Sequence, residues 1–261
     1  MLNKNIPTVI FCGGMGTRLK EETEYKPKPM VKIGGQPILW HIMKIYSHYG
    51  FKDFILCLGY KGEMIKEYFL RYNWVSQNFS LDLKLRKTDF LNPRLKEDWK
   101  IVFADTGLET LTAGRLYKVK EYLEKEDRFM VTYGDGLADI DILKVIEFHQ
   151  KSGKIATITG GHPSSKYGLV ETGPDGLIIS FRQKPKLGEY VNIGFMVFEK
   201  KIFDYLGRDR MIEDVFLDLA KDKQIVMYRH DGFFHAMDTY RDYLDLNKMW
   251  KKGKHPWKIW K

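Results

Sequence analysis

Hydrophobic residues in this chain alternate between short apolar runs closed by glycine and longer segments with apolar residues at helical spacing. The apolar runs predict buried strands at 8–12, 54–58, 101–104, 129–133 and 224–228. The helical spacing predicts amphipathic helices at 37–49, 62–71, 142–151 and 240–250. This order of elements predicts an α/β fold of the Rossmann-like kind, with a mainly parallel mixed sheet flanked by helices.

Several segments carry a weaker pattern. Leu81, Leu83 and Leu85 alternate with charged residues, which predicts one half-exposed strand. A further helix is expected to run from Arg115 to about Lys125. The polar segment 92–100 is expected to be a mobile loop, either a lid or a plain insertion. Glycine and proline turns separate three strand-prone runs that predict a small additional β layer on the substrate side, at 155–159, 168–171 and 177–181.

Length and composition narrow the range of functions. A chain of 261 residues fits one domain. The net charge of +9 suits either a nucleic acid or a phosphate-rich substrate. Because the basic residues are dispersed, we favour the substrate and expect no nucleic-acid partner. The two cysteines, Cys12 and Cys57, lie in apolar runs and are expected to be buried, reduced thiols.

No apolar stretch approaches the roughly 18 residues of a membrane span, and the N-terminal segment does not have the pattern of a signal peptide. We therefore expect a cytoplasmic protein with no membrane partner.

The strongest motif follows the first predicted strand. Residues 13–18 read GGMGTR, and glycines there allow a tight loop whose backbone N–H groups form a concave anion site. Thr17 adds a hydroxyl group, and Arg18 adds a planar fork that suits phosphate oxygens. Lys26 and Lys28 each precede a proline, which favours an extended backbone and limits where their charges can lie.

The loop matches neither of the two common phosphate-binding motifs. It lacks the four-residue spacer and the Gly-Lys-Ser/Thr ending of a Walker A loop. Leu19 stands where a dinucleotide fingerprint needs its third glycine. A glycine turn alone is weak evidence, whereas GGMGTR followed by PKPM and IGGQPI is a specific combination.

That combination resembles the sugar-phosphate nucleotidyltransferases, whose signature is G-x-G-T-R followed by P-K-P-M. The similarity extends from Thr8 to Lys258, favours the cytidylyltransferase branch, and includes DTG at 105–107, TYGDG at 132–136 and MDTYRD at 237–242. It implies an enzyme that joins CTP and a sugar 1-phosphate, expected to be α-D-glucose 1-phosphate, with release of pyrophosphate. It also implies Mg²⁺ as the cofactor and a homo-oligomer. Within the single domain it implies a nucleotide-binding half at about 1–150 and a sugar-binding and C-terminal half at about 151–261.

The resemblance also implies site residues. Arg18 and Lys28 would be catalytic, and Asp135 and Asp238 would hold the metal. The segment 111–115 would read the base. Nucleotide binding is implied for Cys12, Gly13, Gly14, Met15, Gly16, Thr17, Arg18, Lys28, Thr106, Thr112, Gly114, Arg115 and Gly134.

The sugar phosphate is expected to bind Gln183, Lys184 and Asn192, but the chain departs from the family pattern nearby. Gln183 replaces a glutamate, Ile193 replaces a glycine, and Val215 replaces a proline. These changes bear on which sugar is bound more than on the transfer reaction. Another sugar 1-phosphate or nucleotide therefore stays an alternative substrate.

Several residues also admit a plainer role. Asp135 fits a turn aspartate, and Asp238 fits the N-cap of the terminal helix. Asp139 fits a turn or cap residue, although Asp139 and Asp141 together also fit the Asp-x-Asp motif of a glycosyltransferase with a related fold. His235 is expected to pack or orient.

Two tryptophans close the basic C-terminal segment. Trp257 and Trp260 are expected to dock on the chain's own surface or on a sister subunit.

Overall fold

A computed structural model describes residues 6–91, 97–163, 165, 167–183, 185 and 187–260. Most of the long strands belong to one mixed β-sheet. The strands are β1 Thr8–Phe11, β2 Lys32–Ile33, β3 Gln36–Pro37, β4 Asp53–Leu58, β5 Phe79–Asp82, β6 Lys87–Phe90, β7 Lys100–Asp105, β8 Arg128–Tyr133, β9 Gly136–Ala138, β10 Ala156–Gly161, β11 Gly168–Thr172, β12 Ile178–Gln183, β13 Val191–Asn192, β14 Met196–Glu199, β15 Ile225–His230 and β16 Phe234–Ala236.

The main sheet has the order β13-β10-β14-β8-β1-β4-β7, and β15 pairs with β10. Strands β8, β1, β4 and β7 are mutually parallel, so their carboxyl ends lie along one edge. Strand β14 is antiparallel to β8 and joins the second half of the chain to the same sheet. The mixed, mainly parallel sheet confirms the predicted fold class.

Helices cover both faces of this sheet. They are α1 Lys20–Thr23, α2 Ile38–His48, α3 Gly62–Leu70, α4 Tyr72–Ser76, α5 Thr112–Lys118, α6 Ile142–Ser152, α7 Ile212–Lys221 and α8 Tyr240–Lys251. Alternate side chains of β1 enter opposite cores: Ile10 packs with α2 and α6, whereas Val9 packs with α5 and α7. A strand buried on both faces reads as a continuous apolar run, which is why β1 was visible in the sequence.

The predicted strand through Leu81, Leu83 and Leu85 is wrong. Strands β5 and β6 form a hairpin, and residues 83–86 are its turn, with Leu83 81% and Leu85 70% exposed. Asp82 Oδ1 accepts a hydrogen bond from the Leu85 N–H at 2.8 Å, and such a local bond favours a turn. Alternation of apolar and charged residues therefore did not mark a buried face here.

Two other boundaries also differ from the predictions. The helix expected to continue to about Lys125 ends at Lys118 and is followed by a 3₁₀ turn at Lys120–Leu123. The first of the three runs assigned to a small β layer is β10 of the main sheet, and β11 and β12 form a separate hairpin. Of the expected loop 92–100, residues 92–96 lie outside the described residues.

None of the helices in these described ranges is both long and apolar enough to cross a bilayer.

The C-terminal tryptophans dock on the chain's own surface. Trp257 is fully buried and Trp260 is 8% exposed. The indole N–H of Trp257 donates to His41 Nδ1 at 3.4 Å, and the other ring nitrogen of His41 lies 2.8 Å from the carbonyl oxygen of Ile33. Trp250 of α8 packs on the same histidine ring. The tail therefore supports the turn that follows the Lys28 segment.

Truncating this anchor should destabilise the fold. We expect Trp257→Ala to lower the free energy of unfolding by about 3–5 kcal/mol, because it leaves a cavity in the core. Chemical denaturation followed by circular dichroism measures the change. Trp74 is 57% exposed, so Trp74→Ala should cost well under about 1 kcal/mol. Equal losses in the two variants would contradict the structural role of Trp257.

His41 should make stability depend on pH. Burial lowers the pKa of His41 to about 4, whereas an unfolded histidine has a pKa of about 6.5. The unfolded chain therefore binds more protons between these values, so stability is full above pH 6.5 and falls towards pH 4. We expect His41 to contribute a slope of about 1.4 kcal/mol per pH unit in this window.

Denaturant unfolding of wild type and His41→Gln at several pH values tests this assignment. The difference between their slopes isolates His41 from other titrating groups. Identical slopes would contradict it.

Candidate active site

The glycine loop leaves the carboxyl end of β1 and turns sharply at Gly16. Gly16 has a φ of +64°, a conformation that favours glycine. Its carbonyl oxygen accepts hydrogen bonds from the Leu19 N–H at 2.9 Å and from the Thr23 hydroxyl at 2.9 Å. A Cβ on Gly14 would have no neighbour within 4 Å, so this part of the loop faces open space. The loop is thus fixed at its base and open where a ligand would approach.

Arg115 lies beneath this loop and is 4% exposed. Its guanidinium group donates to the carbonyl oxygens of Gly13 at 3.1 Å, Leu58 at 3.0 Å and Gly107 at 2.8 Å. These acceptors follow or end β1, β4 and β7, so one side chain ties three neighbouring strand ends together. A Cβ on Gly13 would lie 2.0 Å from the guanidinium group, which explains the glycine.

Lys28 begins a short 3₁₀ turn, Lys28–Met30, after an extended Pro27. The Lys28 side chain is 11% exposed. Its ammonium nitrogen lies 2.6 Å from Asp135 Oδ2 and 2.8 Å from Asp238 Oδ1. The predicted lysine and both predicted aspartates therefore meet at one point.

The two aspartates are brought together by a small β pairing. Asp135 directly precedes β9, and Asp238 lies two residues after β16, the partner of β9. The Met237 N–H also donates to the carbonyl oxygen of Asp135 at 2.9 Å. On the other side, the Gly134 N–H donates to the carbonyl oxygen of Phe11 at 3.0 Å and fixes Asp135 beside β1.

Asp238 is not the cap of the terminal helix. Thr239 is the N-cap of α8, and its hydroxyl accepts from the Asp242 N–H, while Asp242 Oδ2 accepts from the Thr239 N–H at 2.8 Å. His235 Nε2 lies 3.3 Å from Asp242 Oδ1, which fits the expected orienting role. Because Asp242 completes the cap, the side chain of Asp238 is left to face Lys28 and Arg18.

Charge is concentrated in this cluster. Burial alone would lower the pKa of Lys28, but the nearby carboxylates of Asp135 and Asp238 outweigh it, and the pKa is raised above its ordinary value. Lys28 is therefore a cation at neutral pH. Arg18 adds a second positive charge, since its guanidinium nitrogen lies 3.1 Å from Asp238 Oδ1 and its side chain is 72% exposed.

These groups line a cleft of about 310 Å³ at the carboxyl edge of the sheet. The lining contains most residues that the sequence analysis assigned to the nucleotide and the metal: Cys12, Gly13, Gly14, Gly16, Thr17, Arg18, Lys28, Thr112, Arg115, Gly134, Asp135 and Asp238. Their roles towards a nucleotide stay predictions, but their common location agrees with the rule for ligands in α/β sheets.

Three residues assigned to the nucleotide lie outside this lining: Met15, Thr106 and Gly114. Thr106 is 1% exposed, and its hydroxyl donates to the carbonyl oxygen of Leu58 at 2.6 Å and accepts from Arg115. A Cβ on Gly114 would lie 2.1 Å from the carbonyl oxygen of Arg208, so this glycine permits close packing of α5. Met15 is half exposed on the glycine loop.

The residues assigned to the sugar phosphate also lie outside the cleft lining. The Asn192 side chain accepts a hydrogen bond from the Gly194 N–H at 3.0 Å. Gln183 ends β12 and is exposed, and Lys184 lies outside the described residues. Ile193 is 3% exposed and belongs to the core, and Val215 is fully buried on α7. These two departures from the family pattern therefore add side chains to the core, not to the cleft.

The Asp139-x-Asp141 pair is placed elsewhere. Asp139 Oδ1 accepts from the Phe233 N–H at 2.7 Å and lies 3.0 Å from His230 Nε2. Asp141 is the N-cap of α6, and its side chain accepts from the Lys144 N–H. Of the two roles expected for Asp139, turn or cap, the cap belongs to Asp141 instead. Neither aspartate lines the cleft.

The cleft is also lined by residues that no sequence motif assigned to it, among them Tyr133 and Met211. The Tyr133 hydroxyl donates to Glu213 Oε1, and the Tyr133 ring leaves no space for a Cβ on Gly194, the nearest atom being 2.4 Å away. Burial and the Glu213 carboxylate raise the pKa of Tyr133. The motif TYGDG contained this tyrosine, but a strand-end aromatic residue gives no signal that separates core from cleft.

The donor set suits a magnesium ion that is shared with a phosphate ligand. In the described part of the chain, no three His, Cys, Asp or Glu side chains are grouped so as to hold a metal. Asp135 and Asp238 supply two carboxylates that converge within hydrogen-bonding distance of one ammonium group. Mg²⁺ is commonly bound by one or two carboxylates together with substrate phosphates and water. The residues present therefore fit this ion.

The chain is similar to several known proteins over nearly its whole length. A Bacillus subtilis protein named as a probable glucose-1-phosphate cytidylyltransferase is 49% identical over 255 residues, 97% of this chain and 99% of that protein. The Salmonella typhimurium glucose-1-phosphate cytidylyltransferase is 44% identical over 97% of this chain and 98% of its own length. The crystal structure of HddC from Yersinia pseudotuberculosis has a TM-score of 0.64 at 25% identity, covering 94% of this chain and 99% of that one.

A protein-family model matches most of the chain. The model described as nucleotidyl transferase matches residues 7–251, a range that contains the glycine loop, Lys28 and both aspartates. This chain therefore belongs to the nucleotidyl transferase family.

Proposed function

We propose that this protein is a cytidylyltransferase that joins CTP and α-D-glucose 1-phosphate to give CDP-glucose and pyrophosphate. Two relatives with this activity in their names align with nearly the whole chain, and the chain covers nearly the whole of each. The observation that carries the proposal is the meeting of Lys28, Asp135 and Asp238 at the mouth of the glycine loop.

The chemistry needs positive charge and alignment more than proton transfer. An oxygen of the sugar phosphate attacks the α-phosphorus of CTP, the new P–O bond forms, and the bond to the pyrophosphate leaving group breaks. The attacking phosphate is already ionised near neutral pH, so no general base is required. Because two anions must approach each other, catalysis comes mainly from positioning and electrostatic stabilisation.

The residues of the cleft divide these tasks. The glycine loop would hold the triphosphate with backbone N–H groups, and exposed Arg18 would fold over its oxygens. Lys28 would neutralise charge at the α-phosphate, since its ammonium group lies within the cleft on a stiff segment. Thr112 lies at the start of α5, where its hydroxyl accepts from the Ile212 N–H at 2.8 Å. Its place on the wall suits the proposed contact with the base.

Asp135 and Asp238 would hold Mg²⁺. When bound, the ion would neutralise phosphate charge and fix the triphosphate in one conformation. The β9–β16 pairing holds the backbone segments that carry Asp135 and Asp238 side by side, which suits two carboxylates that bind one ion.

We propose that Gln183, Lys184 and Asn192 contact the sugar phosphate, and that Gln183 gives a weaker contact to sugar hydroxyls than a glutamate would.

We further propose a cytoplasmic homo-oligomer. Exposed apolar side chains on hairpin β11–β12, among them Ile179 at 72% and Phe181 at 60%, support contact with a second copy.

A substrate matrix tests the proposed activity. Four nucleoside triphosphates are combined with several sugar 1-phosphates and Mg²⁺, and pyrophosphate release is measured. We expect the highest kcat/KM for CTP with glucose 1-phosphate. A clearly higher value for another nucleotide or sugar would contradict the stated substrates, and no release with any pair would contradict nucleotidyl transfer.

Removing the central ammonium group should slow turnover. We expect Lys28→Ala to lower kcat by about 10²–10³, or about 2.7–4 kcal/mol, as for other preorganised donors. Lys26 offers a matched control, because it stands two residues earlier and pairs with Glu22 at 2.6 Å instead of the aspartates. Lys26→Ala should stay close to wild type. Turnover of Lys28→Ala within about threefold of wild type would remove Lys28 from the mechanism.

A further inference from the structure

Lys28 lies between the two carboxylates that are proposed to hold the divalent cation, and it contacts one oxygen of each. The ammonium nitrogen lies 2.6 Å from Asp135 Oδ2 and 2.8 Å from Asp238 Oδ1. Mg²⁺ binds carboxylate oxygens at about 2.0–2.1 Å and needs near-octahedral space around it. An ammonium group that contacts both oxygens directly leaves no such space between them. The two cations therefore exclude each other at this position.

The charge of the cluster points the same way. The two carboxylates carry two negative charges, and Lys28 and Arg18 balance them with two positive charges. Lys28 is 11% exposed, so little water screens its interaction with an incoming ion. A divalent cation added to this neutral cluster would be repelled by Lys28. A nucleoside triphosphate brings enough negative charge to accommodate all three cations.

The backbone of Lys28 is stiff, whereas its long side chain has several rotatable bonds. Pro27 and Pro29 flank the residue and stiffen the segment. A Cβ on Gly16 would lie 3.3 Å from the Cβ of Lys28, so the lysine stem starts directly beside the glycine loop. A flexible four-carbon stem can carry the ammonium group from the carboxylates to a phosphate in that loop.

We propose that Lys28 occupies the cation site when no nucleotide is bound, and gives it up when a nucleoside triphosphate accepts the ammonium group. This inference rests on the proposed function, because it takes Asp135 and Asp238 as the cation ligands. Cation and nucleotide then bind cooperatively, and each raises the affinity for the other by the same factor. The exchange keeps both aspartates paired at every stage.

Mn²⁺ binding to the full chain, without nucleotide, tests the exchange. Electron paramagnetic resonance measures free Mn²⁺ during titration of wild type, Lys28→Met and Lys26→Met. We expect Lys28→Met to bind Mn²⁺ about 10–100-fold more tightly than wild type, within the usual range of such couplings. Lys26→Met removes the same charge from the neighbouring lysine and should match wild type. If Lys28→Met does not fold, Lys28→Gln serves in its place.

Three outcomes would overturn the inference. Equal affinities for wild type and Lys28→Met would show that the ammonium group does not block the ion. An equal gain in Lys26→Met would show an effect of net charge alone. If the double variant Lys28→Met, Asp135→Asn still binds Mn²⁺ tightly, the ion binds at another position. Pyrophosphate release by the wild-type preparation is measured separately, so a failure of the proposed function is distinguished from a failure of the exchange.

Discussion

A lysine held between two aspartates is the interaction on which the rest of this site depends. Taking three charged groups partly out of water is costly, and the cost is offset only when the geometry is close and the charges are paired. Here the ammonium group contacts one oxygen of each aspartate at less than 3 Å. The arrangement requires three distant segments to meet. Asp135 follows β8 at the carboxyl edge of the parallel strands, the β9–β16 pairing brings Asp238 beside it, and Lys28 reaches both from its 3₁₀ turn.

The backbone around this cluster is fixed by contacts that leave little freedom. Arg115 joins the ends of three strands through carbonyl oxygens, and the glycines at 13 and 59 leave room for its guanidinium group. On the opposite side, Asn247 of α8 accepts from the Gly34 N–H at 3.1 Å and donates to the carbonyl oxygen of Lys32. The Lys28 segment and Asp238 therefore share α8 as a common support, because Asp238 directly precedes the cap of that helix.

Much of this arrangement could be read from the sequence, and the reasons are physical. Strands buried on both faces appear as apolar runs, so β1, β4 and β8 were found with nearly correct bounds. Asp135 follows such a strand, which agrees with a position at the same edge as the glycine loop, but its role at the metal was implied by the family resemblance. The position of Asp238 required the family resemblance, because its side chain reaches the site through a β pairing that leaves no periodic pattern.

Other features were beyond prediction from pattern alone. Alternating leucines at 81–85 suggested a half-exposed strand, but Leu83 and Leu85 lie exposed in the turn of a hairpin. Side-chain alternation alone does not reveal whether another element covers one face. Ile193 was expected to alter the sugar-binding site, but its side chain lies in the core. The guanidinium group of Arg115 is bonded to carbonyl oxygens and to the hydroxyl of Thr106, contacts that no sequence pattern revealed; its contact with a base stays a prediction. In each case tertiary contacts decided the role of the residue.

The spacing of the central contact along the chain has a consequence for how the protein matures. Lys28 is separated from Asp135 by 107 positions and from Asp238 by 210. Contacts between such remote segments form late, since long loops must close first. The pairing of β1 with β8 spans as much of the chain as the contact between Lys28 and Asp135, whereas the contact with Asp238 spans far more. The central sheet can thus be in place before Asp238 completes the site. Catalytic competence then reports on the final stage of folding, and partly folded chains would be inactive although they contain most of the native secondary structure.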